Sequence, residues 1–463
     1  MDLKNKRVLV LGLAKSGIAS TLFLKSRGAN VTVSDVKPPE QFGDEIPLLL
    51  SQGIVVETGG HAEHTIQNQD LVVVSPGVPR DAPSLLLARE SGISVIGEIE
   101  LAAQFMSGSI IAITGSNGKT TTTTLVGKIL KAAGFPVLVG GNIGTPAISL
   151  ADQTTPKSLV VLEVSSFQLE TIQIFRPKIA VILNITPDHL DRHRTLSAYT
   201  NAKARIFENQ KLEDFTVLNA DDPICVQLAS RTRSQVFWFS RKKEVKAGAY
   251  VVDGTLVCRD SSGVSEIMPV SEIPLKGGHN QENILASVCA CVLVGSARDK
   301  IREAVRDFHA VEHRLEFVAT IRGVSYYNDS KATNVDATIK ALESFPANIH
   351  LILGGKDKDS DYSLLRDLLR ERVKCVYTIG AAAAKIESQI KGASEVIQAG
   401  NLNSAVIRAA LDAQSGDIVL LAPACASFDQ FQSYEHRGRI FKEAVAALTR
   451  AEHSANNSSE PRK

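Results

Sequence analysis

The chain has 463 residues, 44% hydrophobic and 22% charged, with 51 Lys and Arg against 50 Asp and Glu. That length predicts roughly three domains at about 150 residues each, and the composition is that of a globular protein with a sizeable core. An even charge balance excludes a nucleic-acid binder that works by neutralising many phosphates, and no apolar run reaches the roughly eighteen residues that span a bilayer.

The six cysteines show neither CxxC pairs nor metal-ligand spacing, as expected of reduced, buried thiols in a cytoplasmic protein. The start, "MDLKNKRVLVLG", runs directly into a strand pattern, so no signal peptide is expected. From there, short apolar strands alternate with amphipathic helical patterns, which predicts an α/β protein of largely parallel sheets flanked by helices. The sheet restarts twice. Residues 7–12, 30–35 and 71–75 predict a first group of strands, and 109–114, 159–164, 179–184 and 215–219 a second. Residues 348–353, 373–379 and 417–422 predict a third. Domains are expected over 1–98, 99–310 and 311–463. "GAYVVDGTLVCRD" predicts a hairpin turning at Asp-Gly, and so antiparallel strands on the middle sheet. The last residues, 451–463, are polar and aperiodic and read as a flexible end.

"RVLVLGLAKSG" (7–17), with Asp35 eighteen residues after Gly17, is close to a dinucleotide fingerprint whose middle glycine is replaced by Ala14. Ala14 would crowd a pyrophosphate lying across the turn, which weighs against a nicotinamide site. The hydroxyl and N–H groups at Ser16 and Gly17 suit a diphosphate, and a vestigial site stays open as the plainer reading.

In "IAITGSNGKTT" (111–121) a buried strand ends at Thr114 and a helix begins around Gly118. Backbone N–H groups at a helix start favour an anion, and Gly115 and Gly118 let the chain curl around phosphate oxygens. Lys119 reaches the outer phosphates, and the Thr120 hydroxyl is placed for Mg²⁺. The first glycine of G-x-x-x-x-G-K-S/T would fall at Ile113, so this loop departs from the common form. Threonines 121–124 read as helix-face residues. Such a loop leaves motor, kinase, switch and ligase open.

"LVVLEVSSFQLE" puts Glu163 near the C-terminal end of a buried strand, where ligands of open α/β sheets collect. A carboxylate there needs a partner or a cation. "IAVILNITPDHLDRH" emerges into Asp188, His189, Asp191 and His193. Glu163 and His189 are expected to share the loop's crevice and to bind one or two Mg²⁺; Asp191 and His193 read as solvated residues at a helix start. Lys203 lies among Ala202, Ala204 and Ile206. Spacing alone favours a lysine snorkelling to water, whereas burial would free its amine for chemistry.

These strings are joined by GGNIG (140–144), GGHNQENILAS (277–287), VEHRLEFV (311–318), YYNDSKATN (326–334), LILGGKDKD (351–359) and APACASFDQFQSYEHRG (422–438). Their order is that of the Mur ligases, which the chain resembles over nearly its whole length. The resemblance implies an ATP-dependent ligase adding an amino acid to a peptidoglycan precursor through an acyl phosphate. SSFQLE and PACASFDQF are most similar to the branch that adds D-glutamate to UDP-N-acetylmuramoyl-L-alanine.

It implies three domains: a Rossmann-like UDP-sugar domain, a P-loop ATPase-like centre and a Rossmann-like amino-acid domain. ATP would lie on Gly115, Ser116, Asn117, Gly118, Lys119, Thr120, Thr121 and Asn142. Asn280 and Asn283 would flank the adenine, Arg314 and Asp329 the ribose and phosphates, and Lys331 the nucleotide. Lys119, Glu163, His189 and Lys203 would be catalytic. Thr120 and Glu163 would hold one Mg²⁺; Glu163, His189 and Lys203 would hold a second, Lys203 as a carbamate formed from CO₂.

Ser16, Asp35, Val36 and Gly77 would meet the UDP. Lys358 and Ser427 would bind the side-chain carboxylate of D-glutamate, near Thr333, Phe428 and Tyr434, the last at a position where the family often has phenylalanine. Taken as bare residues, Asn280 is equally a helix cap, the charges at 313–314 and 329–331 equally a salt bridge, and "GKDKDSD" a solvated charge run. A cytoplasmic monomer with no nucleic-acid or membrane partner is expected. A sibling ligase, a P-loop switch and a dehydrogenase built on residues 7–35 are the rivals.

Overall fold

The computed structural model describes residues 1–275, 277–308 and 312–458, the side chains of 451–458 excepted. Among the described residues the strands form three sheets. The first comprises β1 (Arg7–Leu11), β2 (Asn30–Asp35), β3 (Val55–Thr58), β4 (Leu71–Val74) and β5 (Ser94–Gly97). Its order is β3-β2-β1-β4-β5, parallel throughout. The order reverses between β1 and β4, which opens a crevice above their C-terminal ends.

The second sheet has nine strands: β6 (Ser109–Thr114), β7 (Val137–Gly141), β8 (Leu159–Glu163), β9 (Ile179–Ile182), β10 (Phe215–Asn219), β11 (Gln235–Ser240), β12 (Gly248–Val252), β13 (Thr255–Asp260) and β14 (Gly263–Pro269). The order is β14-β13-β12-β11-β10-β9-β6-β8-β7, with only the β12–β13 and β13–β14 pairs antiparallel. The expected hairpin is β12–β13, and both turn residues, Asp253 and Gly254, have positive φ (47° and 71°). That pair of left-handed residues matches the twist of the flanking strands. The third sheet runs β15-β16-β20-β17-β18-β19, built from β15 (Glu316–Ile321), β16 (Val324–Asn328), β17 (Ile349–Gly354), β18 (Val373–Ile379), β19 (Glu395–Gly400) and β20 (Ile418–Leu421). Only β15–β16 is antiparallel.

The architecture is the three-domain α/β fold expected, but eight of these strands escaped the sequence reading. Six of them are edges: β3, β5, β7, β14, β15 and β19. Edge strands bury less than interior ones; β19, for example, has no fully buried residue. The interior strands β6, β8 and β9 are buried almost end to end, as both faces are covered by helices.

By contact density the chain divides into two compact units. One gathers Met1–Ile185, Ser197–Ile273 and Glu282–Asp307, and so holds the first two sheets; the other gathers Thr186–Leu196, Pro274–Gln281 and the chain from Phe308 onward. The final helix, Tyr434–Ser458, continues through residues read as an aperiodic tail, while 459–463 lie outside the described residues. All six cysteines are free and buried. No described helix is long and apolar enough to cross a membrane.

Within the first unit, Glu98 begins the helix Glu98–Phe105 and is 2% exposed. One oxygen accepts the Ile148 N–H at 2.8 Å, while the other has no hydrogen-bond partner. Burial pushes the carboxyl up to about 7, against the pull of the hydrogen bonds from Ile148, Gln168 and Ala147. The folded state therefore binds this proton more tightly than the unfolded chain. The stability it contributes is complete below 4.5 and lost as pH rises through about 7. Glu98→Gln is expected to flatten the stability difference between pH 5 and pH 8 by about 2.5 kcal/mol, read from denaturant unfolding at both values.

Candidate active site

The crevice above the first sheet is a cavity of about 670 Å³ whose lining includes Ser16, Asp35, Val36 and Gly77 together with Ala14, Phe42 and His61. Asp35 closes it structurally. Its two oxygens accept the Leu13 N–H at 2.7 Å and the Lys37 N–H at 2.9 Å, buckling the loop after β1 to the end of β2. Gly17 permits the helix to approach that loop, since a Cβ there would lie 1.8 Å from the Gly12 carbonyl oxygen. His61 packs its Nδ1 2.7 Å from Ser34 Oγ, and burial lowers its pKa, so it is neutral at pH 7. Neither Phe42 nor His61 sits in a motif; the fold alone brings them to the wall.

The loop Gly115–Gly118 joins β6 to the helix Lys119–Ala132, with Gly118 as its left-handed N-terminal residue (φ 85°). The mould beneath it is the end of β9. A Cβ on Gly115 would meet Leu183 Cβ at 2.9 Å, and one on Gly118 would meet Asn283 Oδ1 at 2.1 Å. Lys119 folds its ammonium back over the loop, donating to the Gly115 and Ser116 carbonyls at 2.9 and 2.8 Å. Thr121, Thr122 and Thr123 are all buried, on more than one side of the helix.

Glu163, 1% exposed, stands beside the loop at the end of β8. One oxygen accepts from Thr120 Oγ1 at 2.7 Å and the other from Asn142 Nδ2 at 2.8 Å. Lys203 does not snorkel. It is 1% exposed, its nitrogen 2.7 Å from the Gly115 carbonyl oxygen, 3.4 Å from Thr114 Oγ1 and 4.6 Å above the Tyr199 ring. Nucleotide loop, carboxylate, Asn142 and Lys203 thus share one end of the second sheet. Thr120, Glu163 and Asn142 offer the hard oxygen donors that suit Mg²⁺.

In the second unit, His189 adopts a left-handed backbone (φ 55°) ahead of the short helix Leu190–His193, and its ring nitrogen is 3.7 Å from Asp188. His193 is buried rather than solvated; Asp191 is exposed. Asp188 itself is the hub. Lys358 Nζ lies 2.9 Å from one oxygen and Asn334 Nδ2 3.0 Å from the other. Burial alone would raise this carboxyl, but Lys358, His189 and the hydrogen bonds hold it well below the usual carboxylate range. Lys358 is therefore no solvated charge; its side chain is 13% exposed.

The C-terminal ends of β16, β20 and β17 are neighbours in the third sheet, and they gather Asp329, Lys331, Thr333, Ser427 and Lys358 at one edge. Asp329 accepts the Leu315 N–H at 3.2 Å, and burial pushes its carboxyl up to about 7 against the pull of Arg314. Lys331 sets its ammonium 3.6 Å over the Tyr434 ring, a cation–π contact that gives this tyrosine a role on its ring face. Ser427 is 2% exposed and Phe428 68% exposed. Asn280 is no helix cap, since its helix, Gly278–Leu293, begins two residues earlier; both Asn280 and Asn283 are buried.

Arg437, fully buried, was not singled out in the sequence. It donates to Ser330 Oγ (3.0 Å), the Ser330 carbonyl (2.7 Å) and the Cys425 carbonyl (3.1 Å), tying the loop after β16 to the loop after β20.

Family models match three consecutive stretches: "Mur ligase MurD-like, N-terminal domain" over residues 6–97, "Mur ligase middle domain" over 113–291 and "Mur ligase, glutamate ligase domain" over 313–425. The UDP-N-acetylmuramoylalanine--D-glutamate ligase of Koribacter versatilis is 63% identical over 452 residues, 98% of this chain and all of the relative. The enzyme of the same name from Acidobacterium capsulatum is 58% identical over 96% of this chain and 97% of its own. The crystal structure of MurF ligase from Thermotoga maritima in complex with ADP superposes with a TM-score of 0.60 over 96% of both chains at 17% identity, a likeness of fold.

Proposed function

The chain belongs to the Mur ligase family, and from that membership we propose that it joins D-glutamate to UDP-N-acetylmuramoyl-L-alanine at the expense of ATP, in the cytoplasm, as a monomer. The observation that carries the chemistry is the Glu163–Thr120–Asn142 cluster beside Lys119 and Lys203, a phosphate loop with an acidic hard-oxygen site at its flank.

A carboxylate does not condense with an amine in water, so the alanine carboxylate first attacks the γ-phosphorus of ATP, giving an acyl phosphate and ADP. The unprotonated amine of D-glutamate then adds to the acyl carbon, and the tetrahedral intermediate expels inorganic phosphate, leaving the amide. Lys119 lies where its charge can follow the γ-phosphoryl group as it moves. The cavity of the first sheet takes the UDP, the His61 and Phe42 walls included.

Thr120 and Glu163 would hold one Mg²⁺, with Asn142 orienting the carboxylate; His189 and Lys203 are assigned with Glu163 to a second. A metal held there would supply positive charge to the phosphates during transfer. Lys203 is assigned as a carbamate, because CO₂ captured on its amine replaces a buried cation with an anionic oxygen beside the loop. Lys358 and Ser427 receive the side-chain carboxylate of D-glutamate, with Thr333, Phe428 and Tyr434 around it, and Asn280, Asn283, Arg314, Asp329 and Lys331 attend the nucleotide.

Phosphate release from ATP, measured with the UDP-sugar and each amino acid in turn, tests the reading. Release is expected only when both the UDP-sugar and D-glutamate are present; release with neither would make the protein a nucleotide switch, and release with another amino acid a sibling ligase. In the same assay Lys358→Ala is expected to raise the KM for D-glutamate by about a hundredfold while the KM for ATP moves less than threefold. An equal rise in both would remove Lys358 from the amino-acid pocket.

A further inference from the structure

The phosphate loop lacks the first glycine of the common pattern, and Ile113 in its place is a buried strand residue. Something other than a longer glycine-rich turn must then hold the loop's shape. The end of β9 does so. Leu183 N–H donates to the Thr114 carbonyl at 3.0 Å, and Ser116 N–H donates to the Asn184 carbonyl at 2.9 Å. The Asn184 side chain adds two more bonds: its Oδ1 accepts the Asn117 N–H at 2.9 Å, and its Nδ2 donates to the Asn117 carbonyl at 3.2 Å. A side-chain amide pairing both ways with the N–H and carbonyl of one residue fixes the two peptide planes that flank it, as a strand partner would.

Asn184 is itself held from β10. Asn219 Nδ2 donates to the Leu183 carbonyl at 3.0 Å, and Asp222 Oδ2 accepts the Ile185 N–H at 2.8 Å. Asn219 is 3% exposed, so this support is part of the sheet rather than a surface contact.

The geometry points to Asn184 as the positioning residue of the nucleotide loop: it takes up the Ser116 and Asn117 amides and presents those of the helix's first turn, from Gly118 on, to the phosphates. The first amides of a helix have no partner within the helix, and they are the group an anion meets. Ser116 and Asn117 therefore shape the cradle and do not grip phosphate through their backbone N–H. This rests on the ATP-dependent reading of the loop.

Calorimetric titration of Mg-ATP and, separately, of UDP into the full-length protein tests it. Asn184→Leu removes both side-chain bonds at nearly constant volume and is expected to weaken ATP by about ten- to a hundredfold, with UDP affinity within twofold of the unaltered protein. UDP binds in the same compact unit and so reports its fold. Asn184→Ala, which removes the same bonds without adding apolar bulk, must reproduce the loss, and in turnover both variants must raise the KM for ATP while leaving that for D-glutamate within twofold. ATP affinity unchanged in both variants overturns the positioning role alone. Unaltered protein that takes up no ATP overturns it together with the ligase reading.

Discussion

Lys203→Ala is expected to lose turnover by on the order of a hundred- to a thousandfold, the scale seen when one preorganised electrostatic group is removed from a closed site. The fold should persist. What is deleted is a buried side chain whose nitrogen lies beside a carbonyl and a hydroxyl and over the Tyr199 ring. Truncation leaves a space beside Gly115 large enough for a small acid. Formate or acetate at millimolar concentration is therefore expected to restore part of the activity of Lys203→Ala and to leave the unaltered enzyme as it was. A folded variant that no small carboxylate rescues would show that Lys203 works as an ammonium group, and the carbamate assignment would fall. Circular dichroism and phosphate release, measured on one preparation, separate the two outcomes.

Arg437→Leu is expected to lower stability by about 3 kcal/mol or more and the melting temperature by roughly 10 °C. The guanidinium satisfies carbonyls that lie in the buried interior, and a shorter apolar replacement leaves them unpaired. Activity should fall further than folding alone accounts for, because Ser330 adjoins Lys331 and Cys425 lies two residues before Ser427. Arg437→Lys should restore little, since a single ammonium cannot reach both loops as the planar fork does. Melting curves and the KM for D-glutamate check this; full recovery by lysine would mean that charge, not the fork, is what the site requires.

Much of the site was readable because its chemistry is concentrated in strand ends. A buried apolar run that stops at Gly-Ser-Asn-Gly-Lys-Thr has few uses, and Glu163 closing a strand of four apolar residues has few partners other than a cation or a hydroxyl. The resemblance to the Mur ligases then supplied roles for residues such as Lys358 that composition alone would have left in a charge run. What escaped was whatever acts through the backbone. Asn184 pairs with the backbone N–H and carbonyl of a residue sixty-seven positions away, and Arg437 with carbonyls twelve and a hundred and seven residues away. Backbone groups are the same at every position, so no residue pattern marks their partners.

Lys203 shows the division most plainly. Its neighbours Ala202, Ala204 and Ile206 already said that the helix face was apolar, yet an amphipathic side chain on such a face has two exits, to water or inward. Local sequence sets helix and strand through periodicity and turn residues, and by itself it determined the three α/β layers, the phosphate loop and the acidic strand end. Which way a long side chain turns, which loop a buried guanidinium ties, and how Asp188 acquires Lys358 and Asn334 depend on strand order. Only the folded sheets decide that, because they bring together residues whose separation along the chain carries no signal.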